Sequence, residues 1–377
     1  MKVLFVIPSR DSITGASIAI INIILGVLKK GIEAYVVASE PPSVYRTFLE
    51  ELEKNNAKLF FISPNESGWR YWRSLAKKAI QIINENDIKI IHLHLPKLVY
   101  FLGKKIKKSD RKIVLTVEGD PLLEVKELDF FTRIRTKFLW KACIRYSDII
   151  CPCSEWLTNH IRKRDKISNI ITVHNTINLT RFLSVSGGIR NALGTPNGEF
   201  VVMTAARLTP VKGVDILIKG FADFVKNTNS RATLWILGTG ELQKQLEDLS
   251  EELGIKNRVL FHGFQNNPQD YLAECDVFVM CSTYEPFGMP AAEAGVLGIP
   301  VIVSKTGGLT EIVIHGKSGY QFEIGDYKQL SSYLEELFNN KETRVEFGQN
   351  AKARVMAHFS PEVIADKIIQ IYSKLMV

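Results

Sequence analysis

Two cations and two carboxylates stand in short polar segments that each follow an apolar run. Arg207 and Lys212 lie in Ala206-Arg-Leu-Thr-Pro-Val-Lys-Gly213, directly after Phe200–Ala205. A guanidinium can grip a diphosphate through two parallel N–H bonds, and an ammonium adds a point charge. Without such a ligand the two would be solvated surface charges. Glu285 and Glu293 belong to Tyr284-Glu-Pro-Phe-Gly-Met-Pro-Ala-Ala-Glu293. The spacing predicts a loop at Glu285 and a helix that starts near Gly288 and carries Glu293. A carboxylate suits sugar recognition because it accepts bonds from two adjacent hydroxyls. Glu293 sits among Ala, Gly and Val, where an unpaired carboxylate is costly. The helix start at Gly288-Met289 can face an anion or a hydroxyl.

Further candidates follow other apolar runs. Ser12-Ile-Thr-Gly-Ala-Ser17 places Gly15 and Ala16 at a helix start, where backbone N–H groups can approach a phosphate; the same glycine could serve the turn alone. Leu237-Gly-Thr-Gly-Glu241 lacks the third glycine of a dinucleotide fingerprint and reads as a tight strand-to-helix turn. Thr116-Val-Glu-Gly-Asp120 contributes Glu118, an acid able to bind a sugar hydroxyl or assist an acceptor. His92 and His94, two apart, share one strand face. Packing at a strand end and a role at an acceptor both fit them.

These residues need a frame. The 377 residues suggest two domains. The composition, 46% hydrophobic and 23% charged, is that of a globular protein. The opening apolar run is too short for a signal peptide, and the longest, Ala16 to Leu28, falls short of the ~20 residues of a membrane span. The five cysteines are scattered and match no zinc or redox spacing, so reduced, buried thiols in a cytoplasmic protein are expected. Residues 1–172 hold 29 Lys+Arg against 18 Asp+Glu, net +11, while the remainder holds 19 against 22, net −3. A basic first half favours an anionic partner: nucleic acid, an acidic membrane or a phosphate-bearing lipid.

Strands are expected at 3–8, 33–38, 59–62, 88–94, 112–117, 149–152 and 170–173, with helices between them. Residues 175–199, rich in Gly, Ser, Thr and Asn, read as a linker with an exposed loop. A second series is expected at 200–205, 233–237, 259–261, 277–281 and 300–303. This alternation implies α/β architecture with two doubly wound parallel sheets, whose strand carboxyl ends line a central cleft. The domains expected are 1–173 and 200–360, joined by 174–199, with a final helix at about 361–377 returning to the first. Phe130–Tyr146 reads as an amphipathic helix. Phe131, Ile134, Phe138 and Ala142 follow helical spacing, among five Lys and Arg residues. With the run Lys104–Lys108 it could rest on anionic lipid headgroups, or its apolar face could pack in the core.

The blocks Ala205–Gly213, Leu237–Glu241, Phe261-His-Gly-Phe264, Glu285–Glu293, Gly298-Ile-Pro-Val301 and Thr306-Gly-Gly308 resemble glycosyltransferase family 4 in order and spacing. The likeness is strong from about 200 to 320 and continues more weakly through Gly15, Ile91–His94, Ser147–Ile150 and Ser154-Glu155. Asn175-Thr-Ile-Asn178 with Arg181-Phe182 resembles the family's linker without its usual Gly and Asp. The resemblance implies the GT-B fold, two Rossmann-like domains, and a retaining transfer of a hexose or N-acetylhexosamine from a nucleotide-diphosphate sugar. Arg207 and Lys212 would hold the diphosphate, and Glu293 the ribose hydroxyls. Glu285, with the backbone of Phe287, Gly288 and Met289, would hold the sugar; Gly263 and Phe264 would lie beside the base. Gly15 and Ala16 would approach the phosphates from the other domain. Many members carry His where this chain has Glu118.

No cofactor and no metal are expected, because fixed cations at the leaving group can stabilise the developing charge. The acceptor, lipid-linked or an oligosaccharide, would meet the basic first domain, with His94 on that side. Such an enzyme would be cytoplasmic, or peripheral to the inner face of the cell membrane. The competing readings are a sugar-nucleotide epimerase of the same fold and a non-catalytic partner subunit. No nucleic-acid recognition module is present.

Overall fold

The computed structural model describes residues 1–7, 15–39, 43–62, 68–123, 129–196 and 198–377. The chain divides into two compact units, Met1–Thr176 with Pro361–Val377, and Ile177–Ser360.

In the first unit the order is β1 (Lys2–Ile7), α1 (Gly15–Lys29), β2 (Glu33–Ser39), α2 (Ser43–Lys54), β3 (Lys58–Ile62), α3 (Gly68–Glu85), β4 (Ile90–Leu93), α4 (Pro96–Ile106), β5 (Lys112–Val117), α5 (Phe130–Tyr146), β6 (Ile149–Pro152) and α6 (Glu155–Asp165). All six strands are parallel, in the order β3-β2-β1-β4-β5-β6. The inner strands are almost continuously apolar because helices cover both faces of such a sheet. Chain order reverses between β1 and β4, and ligands gather beyond the strand carboxyl ends at such a reversal.

The second unit contains α7 (Leu179–Leu183), α8 (Ile189–Ala192), β7 (Phe200–Ala205), α9 (Val214–Thr228), β8 (Ala232–Leu237), α10 (Gln243–Glu252), β9 (Val259–Gly263), α11 (Pro268–Leu272), β10 (Val277–Met280), α12 (Met289–Val296), β11 (Val301–Ser304), α13 (Leu309–Ile312), β12 (Gly319–Phe322), α14 (Tyr327–Asn339) and α15 (Lys341–Phe359). Its sheet is β12-β11-β10-β7-β8-β9, again parallel with the same reversal, now between β7 and β10. Helix α16 (Pro361–Met376) belongs to the first unit. Its Ile364, Ile368, Ile371 and Tyr372 join Ile20, Ile24 and Val27 of α1 in one apolar core.

Several expectations are corrected. Residues 170–173 form no strand: only Ile170 bridges to Ile150. The edge strand β12 was not expected. Residues 177–196 are no free linker, because they contain α7 and α8 and belong to the second unit. There Asp270 accepts from Ser186 N at 2.9 Å, and Asp276 from Arg190 Nη2 at 2.7 Å. Helix α5 turns Leu139, Trp140, Ala142 and Cys143 inward, while Phe131, Ile134 and Phe138 are 81%, 50% and 55% exposed. Its apolar spacing therefore does not mark a core face. All five cysteines are buried and none forms a disulfide.

Candidate active site

In the second unit β7 and β10 are neighbours, with Val202 opposite Val277, so the segments that follow them run side by side. The N–H of Thr283 donates to the Val211 carbonyl at 2.8 Å. Gly213, with φ of 59°, lies so close that a Cβ there would stand 2.3 Å from the Cys281 carbonyl oxygen. Only glycine permits that conformation and that approach together. The two segments bring Lys212 Nζ to Glu285 Oε2 at 2.7 Å, with the side chains 18% and 11% exposed. Ser282 Oγ donates to the same carboxylate oxygen at 3.3 Å. The segment after β11 supports this arrangement. Gly308 N donates to the Glu285 carbonyl at 3.0 Å, and a Cβ on Gly307 would fall 1.9 Å from that oxygen. One ammonium N–H is thus committed to Glu285, leaving two for a ligand.

Arg207 follows β7 on the same sheet edge. Its side chain is exposed and has no hydrogen-bond or ion-pair partner among the described residues. Its loop is fixed by the Leu237–Glu241 turn: Leu208 N donates to the Thr239 carbonyl at 3.0 Å, and Leu242 N to the Leu208 carbonyl at 3.1 Å. Glu293 lies one turn inside α12, four residues after Met289. Burial pushes its carboxyl up to about 7, with the charge of Arg181 opposing. Gly288 caps α12, while the side chains of Phe287 and Met289 are buried, which leaves their backbone as the part able to meet a ligand. Gly263 ends β9, and the next residue, Phe264, is 63% exposed. All these residues follow the carboxyl ends of one parallel sheet.

The first unit has its own polar cluster. His92 and His94 stack at 4.6 Å but differ in environment. His92 is held between Tyr372 Oη and Thr116 Oγ1, each 2.6 Å from a ring nitrogen, and burial pulls its pKa down to about 3. It is a core residue. His94 is as deeply buried, yet neither ring nitrogen has a hydrogen-bond partner among the described residues. Its Nδ1 lies 4.0 Å from Glu118 Oε1. Glu118 Oε2 accepts from Asn175 Nδ2 at 2.7 Å, whereas Glu118 Oε1 and Asn175 Oδ1 are buried without partners. Burial lifts the Glu118 carboxyl to about 7, opposed by the Asn175 bond, and holds His94 well below its usual range. Buried polar atoms are rarely left unpaired, so this cluster suits hydroxyl groups of a ligand. Asn175 was not singled out from sequence as a site residue; its signal is a polar side chain at the end of the apolar run 170–173.

Gly15 opens α1, and Ala16 follows it; residues 12–14 of the same segment lie outside the described residues. Asp120, two residues beyond Glu118, is committed within the unit. It bonds to Arg164, lies 3.1 Å from His160 Nε2, and accepts from Leu122 N at 2.9 Å. Among the described residues no group of acidic, His and Cys side chains could hold a metal ion.

Two family models match, "Glycosyltransferase Family 4" over residues 13–181 and "Glycosyl transferases group 1" over 187–354. The chain belongs to glycosyltransferase family 4. It is a glycosyltransferase with the GT-B fold. It is 26% identical to N-acetyl-alpha-D-glucosaminyl L-malate synthase of Bacillus anthracis, over 99% of this chain and 97% of that protein. It is 24% identical to the capsular polysaccharide biosynthesis glycosyltransferase CapM of Staphylococcus aureus, over 92% and 91%. Among solved structures, Anabaena HepE in complex with UDP-glucose superposes with a TM-score of 0.80 at 23% identity, covering 99% of this chain and 100% of that one. At that identity the likeness speaks to the fold.

Proposed function

We propose that the protein transfers a hexose or N-acetylhexosamine, with retention and without a metal, from a nucleotide-diphosphate sugar to a lipid-linked or oligosaccharide acceptor. The observation that carries this reading is the Lys212–Glu285 pair, held rigid by three loops on one sheet edge. Departure of a nucleoside diphosphate builds negative charge on phosphate oxygens. Arg207 and the two uncommitted donors of Lys212 stabilise that charge, and preorganised groups need no reorganisation at the moment of reaction. Glu285 accepts hydroxyl bonds from the sugar, with Phe287–Met289 supplying backbone. Glu293 takes the ribose, and Phe264 offers a face to the base. Gly15 and Ala16 supply backbone to the phosphates. UDP is the nucleotide bound by HepE, and a uridine donor is our first choice here.

The acceptor is assigned to the first unit, where Glu118, His94 and Asn175 present unpaired polar atoms. The attacking hydroxyl approaches on the face the diphosphate leaves, and a phosphate oxygen helps to take its proton. The exposed basic helix α5 and Lys104–Lys108 bring the enzyme to an anionic membrane. No helix among the described residues is long and apolar enough to cross a membrane; the contact we propose is peripheral.

The test is incubation with a panel of sugar nucleotides and glycan or lipid acceptors, read by chromatography. A glycosylated acceptor supports transfer. A changed donor sugar without transfer would mean epimerisation, and an unaltered donor that still raises the melting temperature would mean inert binding.

A further inference from the structure

The first unit carries an open pocket of about 330 Å³ lined by Trp69, Arg70, Arg73, Tyr100 and Phe101. It lies between the first turns of α3 and the middle of α4. Trp69 meets Tyr100 and Phe101 edge-on, with ring centres 6.1 and 5.3 Å apart, and Tyr100 meets Phe138 of α5 at 5.4 Å. An aromatic line thus runs from the pocket to the exposed side of α5, where Ile134 and Phe131 continue it. Trp69 is 49% exposed.

Among the described residues, carboxylates compensate only a minority of this unit's cations. Lys30, Lys58, Lys89, Lys107 and Arg164 all have carboxylate partners. Among the described residues, none of Arg70, Arg73, Lys97 or Arg135 has one. Lys97 instead places its ammonium 5.0 Å above the Trp72 ring. Burial and the nearby charge of Arg135 both lower its pKa. Cations left uncompensated beside exposed aromatic rings match an anionic amphiphile. A neutral glycan fits poorly, because its hydroxyls call for acceptors as well as donors. A nucleic acid would use the cations and flat rings but not Ile134 or the apolar slope of α5. At a bilayer surface, Trp and Tyr sit at headgroup depth, Phe and Ile reach the acyl chains, and Lys and Arg meet phosphates.

We propose that this pocket is a headgroup site, in which Arg70 and Arg73 hold the phosphate of an anionic lipid while Trp69, Phe138 and Ile134 enter the bilayer surface. The proposal rests on the peripheral membrane contact above, but it assigns a discrete site where that reading needs only diffuse attraction.

Co-sedimentation of the full chain with phosphatidylcholine vesicles, with and without phosphatidylglycerol, tests both. Arg70→Gln/Arg73→Gln is compared with Lys104→Gln/Lys105→Gln, which removes the same charge from the far end of α4. Melting temperatures establish that both variants are folded. A headgroup site requires the arginine pair to lose about tenfold more vesicle binding than the lysine pair, and vesicles with brominated acyl chains to quench fluorescence in the wild type more than in Trp69→Phe. Calorimetric titration with inorganic phosphate separates a lipid site from a free-phosphate site: phosphate binding that depends on Arg70 and Arg73, without vesicle binding, overturns the lipid assignment. Equal losses in the two double variants overturn the pocket and leave diffuse attraction. No preference for anionic vesicles overturns both. Single-stranded oligonucleotide binding that depends on Arg70 and Arg73, with vesicle binding unaffected, would also overturn it.

Discussion

Replacing Glu118 by Gln should stabilise the protein at alkaline pH and leave it nearly unchanged under acid. The Glu118 carboxyl is raised from 4.5 to about 7, chiefly by burial, and its side chain is only 14% exposed. Between those values the folded state keeps a proton that the unfolded state has lost. Stability from this group is therefore full below about pH 4.5, falls as pH rises, and is lost above about pH 7. At 1.36 kcal/mol per pKa unit the loss is on the order of 3 kcal/mol. Glutamine keeps the shape and the Asn175 bond, and its amide can donate toward the unpaired Asn175 Oδ1. The assay is thermal unfolding of wild type and Glu118→Gln from pH 4.5 to 8.5. The variant's advantage should grow across that range to roughly 6–12 °C, the scale expected for a unit of this size. Glu293 titrates equally in both proteins and cancels in the difference. A gap that does not change with pH would refute the reasoning.

Lys212→Ala should cut turnover by ~100-fold or more, the scale of losing one leaving-group donor; near-normal turnover in the chromatographic assay would remove Lys212 from the chemistry. Glu293→Ala should weaken donor binding about 10- to 100-fold, since hydrogen bonds to a charged group contribute about 1.5–3 kcal/mol, as read by calorimetric titration with nucleoside diphosphates. Gly307→Ala places a Cβ against the Glu285 carbonyl, so donor affinity should fall more than the stability of the second unit, and an unchanged affinity would detach that loop from the site.

Most strands could be read from sequence because a parallel strand covered on both faces is nearly all apolar, as Val3–Ile7 and Val201–Thr204 show. Strand β12 escaped because Gly319-Tyr-Gln-Phe322 is short, polar at Gln321, and lies at an edge. The residue types around Lys212 and Glu285 pointed to phosphate and sugar chemistry. Their pairing did not follow, since 73 residues separate them and the loops meet only through the β7–β10 adjacency. The same holds for Glu118 and Asn175, 57 residues apart. In α5 the spacing grouped Phe131, Ile134 and Phe138, which are exposed together, but added Ala142, which is buried, and did not tell which side faces inward. That choice is set by the helices alongside: α5 buries Leu139 and Cys143 and leaves Phe138 and Ile134 outside.

The placement of α16 has a consequence for biogenesis. The second unit is one unbroken stretch of chain and can complete its core while synthesis continues. The first begins earlier but must wait for Ile364, Ile368 and Tyr372 to seal α1. During translation the apolar side of α1 therefore stays uncovered until α16 emerges, so a segment made before the second unit is completed after it and has the greater need of chaperone protection.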